Sequence, residues 1–136
     1  MSLELEYSEM VATLAKGGHV IAAELNEFNA HLWHMATGVS GEAGELLDAI
    51  KKVAVYNKQI DLPNIIEELG DLEFYMEGLR NKLGITRERT LIANMEKLAK
   101  RYAGFKYSDE QAQARNDKNE TLQVDLPHSS ELVAPQ

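Results

Sequence analysis

GEAGELLDAIKK, residues 41–52, and IIEELGDLEFYM, residues 65–76, decide how this chain is read. Each holds two acids three positions apart: Glu42 and Glu45 in the first, Glu68 and Asp71 in the second. Residues three apart share one side of an α-helix, so each pair aims two carboxylates in roughly one direction. Where two such helices face each other, four carboxylates converge. Such a cluster repels itself unless a cation neutralises it. Oxygen ligands suit hard ions, with Mg²⁺ expected and Mn²⁺ as its substitute. A divalent ion held in this way is a grip for polyphosphate.

Outward from the two motifs the pattern stays helical. Leu32, Met35, Ala36, Val39, Ala43, Leu46, Ile50 and Val53 follow a three-or-four spacing, which predicts a long helix over residues 30–56. Glu42 then lies at the edge of the apolar stripe and Glu45 further out. Asp61-Leu62-Pro63 reads as a helix start, with a capping side chain and a first-turn proline, and Gly84 as its stop. The stripe between them is Ile65, Ile66, Leu69, Leu72, Met76, Leu79 and Leu83, with Glu68 at its flank and Asp71 one step outward. The two acidic pairs thus hold equivalent places beside two apolar seams. Helices are also expected over residues 3–16 and 20–28, parted by Gly17-Gly18, and from Thr86 to Ala103-Gly104. Together these predict an all-α fold, a four-to-five-helix bundle.

The chain has 136 residues, which predicts one domain over residues 1–107 followed by a polar, mobile tail over 108–136. Within that tail VDLPHSSELVAP, residues 124–135, reads alternatively as a docking segment. A hydrophobic share of 44% supports a modest core for a monomer, so oligomerisation is expected to complete it. The net charge of −8 argues against a nucleic-acid surface but not against a phosphate substrate, because a bound metal inverts the local sign. There is no cysteine, hence no disulfide, thiolate metal site or cysteine nucleophile. No secretory signal and no membrane-length apolar run is present, and a cytoplasmic protein is expected.

Phosphoanhydride hydrolysis requires charge neutralisation, an aligned water and a stabilised leaving phosphate. Glu42, Glu45, Glu68 and Asp71 are the candidate metal ligands. Glu45 or its counterpart Glu67 is the candidate base for the water, and spacing does not choose between them. Lys52 lies seven residues after Glu45, on nearly the same helix side. Asn94, Lys97 and Arg101 are spaced by three and four, forming one polar stripe able to grip phosphate oxygens. A solvated helix surface explains that stripe equally well. Gly38, Gly41, Gly44 and Gly70 interrupt helical patterns, either for close helix packing or to leave room beside the ligands. His31 and His34 share a zinc-like spacing but lack a third soft ligand, and no Glu-x-x-His motif of a di-iron bundle occurs. Trp33, Phe74 and Tyr75 are expected in the core rather than stacked on a base. Glu73 departs from pattern by falling on an apolar arc.

With those residues in view, the chain resembles the MazG-like all-α nucleoside triphosphate pyrophosphohydrolases. This superfamily also includes dimeric dUTPases, dCTP pyrophosphatases and phosphoribosyl-ATP pyrophosphohydrolase. The resemblance runs from about Leu32 to Phe105 and includes the flanks of both acidic motifs and NMEKLAKRYAGF, residues 94–105. It implies Mg²⁺ ligands at Glu42, Glu45, Glu68 and Asp71, with phosphate contacts from Lys52, Lys97, Arg101 and Asn94. It further implies cleavage between the α- and β-phosphates of a nucleotide, a house-cleaning role, and a homodimer or homotetramer with pockets near subunit contacts. Phosphoribosyl-ATP hydrolysis and a non-catalytic nucleotide-sensing or partner-binding module stand as alternatives.

Overall fold

Residues 2–118 are described in a computed structural model. The helices are α1 (Leu3–Leu14), α2 (Gly18–Glu24), α3 (Glu27–Ala54), α4 (Leu62–Leu83), α5 (Arg87–Arg101) and α6 (Asp109–Ala114), with 3₁₀ turns at Ala103–Phe105 and Asn116–Lys118. No strand occurs among the described residues, and no helix there is long and apolar enough to cross a membrane. The all-α expectation holds.

Local chemistry sets the ends. The Asn26 side chain accepts from the Asn29 N–H at 2.8 Å and starts α3. Asp61 does the same for Asn64 at 3.2 Å, with Pro63 in the first turn of α4. Gly84 ends α4 in the left-handed region, φ +65°, while the Ile85 N–H reaches back to the Arg80 carbonyl at 2.9 Å. Thr86 accepts from Arg89 and starts α5.

α3 and α4 form the dominant packing of the chain, an antiparallel hairpin. Its seam differs from the expected stripes. On α3 the buried and half-buried positions that run the length of the contact are Leu32, Met35, Val39, Glu42, Leu46, Ala49 and Val53, with His31 and Gly38 half-buried beside them. On α4 the corresponding positions are Ile65, Glu68, Leu72, Tyr75, Leu79 and Lys82, with Met76 and Leu83, both in the expected stripe, half-buried beside them. Both runs alternate steps of three and four, the 3.5-residue repeat of a coiled-coil pair. Ile50, Ile66 and Leu69, expected inside, lie outside this seam and are exposed. Glu42 and Glu68, expected at its edge, lie within it.

The seam is fixed by small residues under large ones. The Tyr75 ring lies on Gly38, and the Met35 thioether lies on Gly78. His34 meets Tyr75 edge-on at 6.1 Å between centroids, so this imidazole packs against an aromatic ring. A methyl at Gly38 would overlap the Tyr75 ring, whereas one at Gly41 meets nothing within 4 Å. Gly38→Ala is therefore expected to destabilise by about 1–3 kcal/mol through overpacking. Gly41→Ala is expected to stabilise by up to ~1 kcal/mol, the helix-propensity difference. Urea unfolding of the two variants checks this, and effects of equal sign would refute the seam.

α5 packs mainly on the segment that follows it. The Arg101 guanidinium donates two hydrogen bonds to the Asp117 carboxylate, Nε to Oδ1 and Nη2 to Oδ2, each 2.7 Å. The Ala103 N–H donates to Gln111 Oε1 at 2.6 Å, Tyr107 donates to Asp109, and Ser108 caps α6. Residues 108–118, expected to belong to a mobile tail, are thus folded onto α5. The proposed docking segment at 124–135 lies outside the described residues.

Glu73 finds its partners at the α4–α5 corner. Arg80 and Arg87 donate to it at 3.3 and 3.1 Å, and Arg80 also holds Glu77 at 2.7 Å. Trp33 and Phe74, expected in the core, are mostly exposed. Among the described residues only Met35 and Ala49 are buried apolar side chains.

Candidate metal centre

The seam brings Glu42 from α3 against Glu68 from α4, and Asp71 projects one turn beyond Glu68. Each of the three offers an oxygen, and these oxygens all lie within 4.8 Å of one another. Glu68 is 8% exposed, Glu42 is half-buried and Asp71 is exposed. The site is therefore rooted in the hairpin and open on one side.

Electrostatics follow from that placement. Burial raises the Glu42 carboxyl above its usual value, and the charges of Glu45 and Asp71 raise it further. Burial likewise raises Glu68, followed by Glu45, Glu42, Glu67 and Asp71. Every charged neighbour acting on these two carboxyls is acidic. Three carboxylates within reach of one another, with the charges of Glu45 and Glu67 close by, form an all-oxygen, anionic donor set, which fits a hard divalent ion.

The other expected site residues divide. Glu45 is close enough to act on both Glu42 and Glu68, yet it is outside the tight trio. Glu67 is exposed beside Glu68. Lys52 pairs with Asp48 at 3.3 Å, both exposed, two to three turns along α3 from Glu42. Asn94, Lys97 and Arg101 share a side of α5, which has its principal contacts with the C-terminal turns rather than with α3 or α4. Within one chain, then, the acids come together and the α5 cations are not packed against them. Arg101 is occupied by Asp117, a residue that sequence reading missed. Ser108-Asp109-Glu110-Gln111 was the available signal, since serine followed three later by glutamine is a capping box.

The hairpin also has two unlike faces. In an antiparallel pair, like flanks of the two seams meet on one face. One face carries Glu45, Asp48, Lys52, Glu67 and Asp71. The opposite face carries Ala43, Leu47, Ile50, Ile66, Leu69 and Met76. Leu47 is 68% exposed and Ile66 61% exposed.

The fold and the trio define an all-α protein with a carboxylate centre suited to divalent metal, set between two antiparallel helices. The family model for the MazG nucleotide pyrophosphohydrolase domain matches residues 32–104, just over half of the chain and both acidic motifs of the hairpin. The chain belongs to that family. Searches of curated proteins and of solved structures found no match.

Proposed function

We propose that the protein is a Mg²⁺-dependent nucleoside triphosphate pyrophosphohydrolase. It cleaves the α–β phosphoanhydride of (d)NTPs to a nucleoside monophosphate and pyrophosphate. The observation that carries this reading is the convergence of Glu42, Glu68 and Asp71 at the centre of the region that matches the family.

In this reading Glu42, Glu45, Glu68 and Asp71 hold the metal. When bound, Mg²⁺ or Mn²⁺ supplies positive charge to the phosphoryl oxygens. Glu45 or Glu67, both exposed at the rim, orients the attacking water and accepts its proton. The attack needs no covalent nucleophile. Lys52, Asn94, Lys97 and Arg101 neutralise the remaining phosphate charge and the leaving pyrophosphate. Because α5 is not packed on the acids within one chain, we assign completion of the site to a homodimer or homotetramer. The apolar face of the hairpin is the contact between copies.

The direct test is pyrophosphate release from a panel of dNTPs, NTPs and phosphoribosyl-ATP, with Mg²⁺ and with chelator. Metal-dependent release from at least one triphosphate is expected. No release from any member, by protein whose helicity is intact, would leave the non-catalytic reading standing.

A further inference from the structure

The C-terminal turns place an internal carboxylate on one of the proposed phosphate-binding residues. Arg101 lies on the same side of α5 as Asn94 and Lys97, and its two-pronged guanidinium is filled by both oxygens of Asp117. This is the geometry in which arginine holds a phosphate. The Asp117 side chain is 4% exposed and that of Arg101 18%, so the pair is shielded from water. A second arginine stands beside it. Arg115 Nε lies 3.7 Å from Asp117 Oδ1, and the Arg115 side chain is 46% exposed. Arg115 adopts φ +50°, the left-handed turn that ends α6 and returns the chain towards α5.

Two arginines lie within 4 Å of one aspartate, so the carboxylate has a second partner at hand. A simple clasp needs one. If a polyphosphate took Arg101, Asp117 would otherwise be left as an unpaired, shielded charge, which is costly. Arg115 is already placed to receive it. We propose that Asp117 is an internal stand-in for substrate phosphate. It occupies Arg101 in the free protein, and it passes to Arg115 when a polyphosphate binds. The segment 108–118 is thus an autoinhibitory latch on the α5 cation stripe. This rests on the reading of Arg101 as a phosphate contact.

The latch makes the binding-competent state only a fraction of the free protein. Apparent affinity is reduced by that fraction. Asp117→Asn keeps the shape and removes the competing charge, so KM for the preferred triphosphate should fall about tenfold with kcat nearly unchanged. Arg115→Ala removes the alternative partner, so KM should rise by about the same factor. The double variant should match Asp117→Asn alone, because Arg115 matters only through Asp117. Binding of inorganic tripolyphosphate with Mg²⁺, followed by calorimetry on the full chain, should shift in parallel.

A structural clasp would instead lower thermal stability in Asp117→Asn and leave KM and tripolyphosphate affinity unchanged or weakened, which overturns the latch. Should Asp117→Asn fail to fold by circular dichroism, Arg115→Ala decides alone: a raised KM supports the latch and an unchanged KM overturns it. Turnover by wild type with no shift in either variant rejects the latch and keeps the enzymatic reading. Absence of turnover together with absence of tripolyphosphate binding rejects both.

Discussion

Glu68→Gln is expected to lower pyrophosphate release by about 10²–10³-fold, the scale of losing one electrostatic group from a phosphoryl-transfer site. The same substitution is expected to make the metal-free protein more stable. Glu68 is 8% exposed, and burial with the charges of Glu45, Glu42, Glu67 and Asp71 keeps its proton bound above the usual value of 4.5. A group whose folded pKa is raised contributes stability that is present at low pH and lost as pH rises through the raised value. As pH rises through that raised value, the metal-free wild type takes on the penalty of ionising a buried Glu68 among other acids. Glutamine fills the same space without the charge.

Two measurements follow. In chelator at neutral pH, Tm of Glu68→Gln should exceed that of wild type, and the gap should close as pH falls below 4.5. Mg²⁺ or Mn²⁺ should raise Tm of wild type and raise that of Glu68→Gln far less, since a ligand stabilises only the state that binds it. A variant that keeps turnover within tenfold of wild type, or that unfolds more easily than wild type in chelator while keeping its metal response, would end the assignment of Glu68 as a ligand.

The second large effect concerns assembly. A single chain buries only Met35 and Ala49 among the apolar side chains described. α1 and α5 expose Leu3, Leu14, Leu91, Ile92 and Met95, and the hairpin exposes Leu47, Ile66 and Leu69. Burying one such side chain contributes about 1.5–3 kcal/mol. A two-helix hairpin without that contribution is not expected to fold alone, and an exposed apolar face of this extent marks a contact surface. In the assembly proposed above, a second copy would supply an identical face, and two-fold symmetry would set it against the first to give a four-helix arrangement.

Light scattering should therefore give at least twice the mass of 15.2 kDa. Leu47→Asp with Ile66→Asp should drive the protein to monomer, with loss of cooperative thermal unfolding and of turnover. Both positions lie on the face opposite Glu45 and Asp71, so the loss would act through assembly. A wild type that stays monomeric yet unfolds cooperatively would refute the interface.

Much of the helix map was legible because it is written in local chemistry. Asp61 and Thr86 cap α4 and α5 through contacts three residues away, and Gly84 stops α4 because its φ of +65° suits glycine. Two details were not legible. Most of each expected stripe lies in the seam, but Ile50, Ile66 and Leu69 fall outside it, because spacing alone admits neighbouring rotations of each helix. On α3, Ala49 fits the three-or-four spacing as well as Ile50 does. Only the partner helix chooses between them, through Tyr75 on Gly38 and Met35 on Gly78. The fold of residues 108–118 was hidden by composition, since its hold on α5 is an ion pair sixteen residues apart in sequence rather than an apolar stripe.

By itself the sequence determined that the chain is helical, where its main helices begin and end, and that each of two helices carries an acidic pair beside its apolar stripe. These follow from contacts within a turn or two of chain. Tertiary structure alone decided that Glu42 and Glu68 lie inside the seam, that Asp71 joins them within 4.8 Å, and that Arg101 is held by Asp117. Those outcomes depend on the rotation of one helix against another and on a pairing between distant residues, and neither is encoded in local spacing.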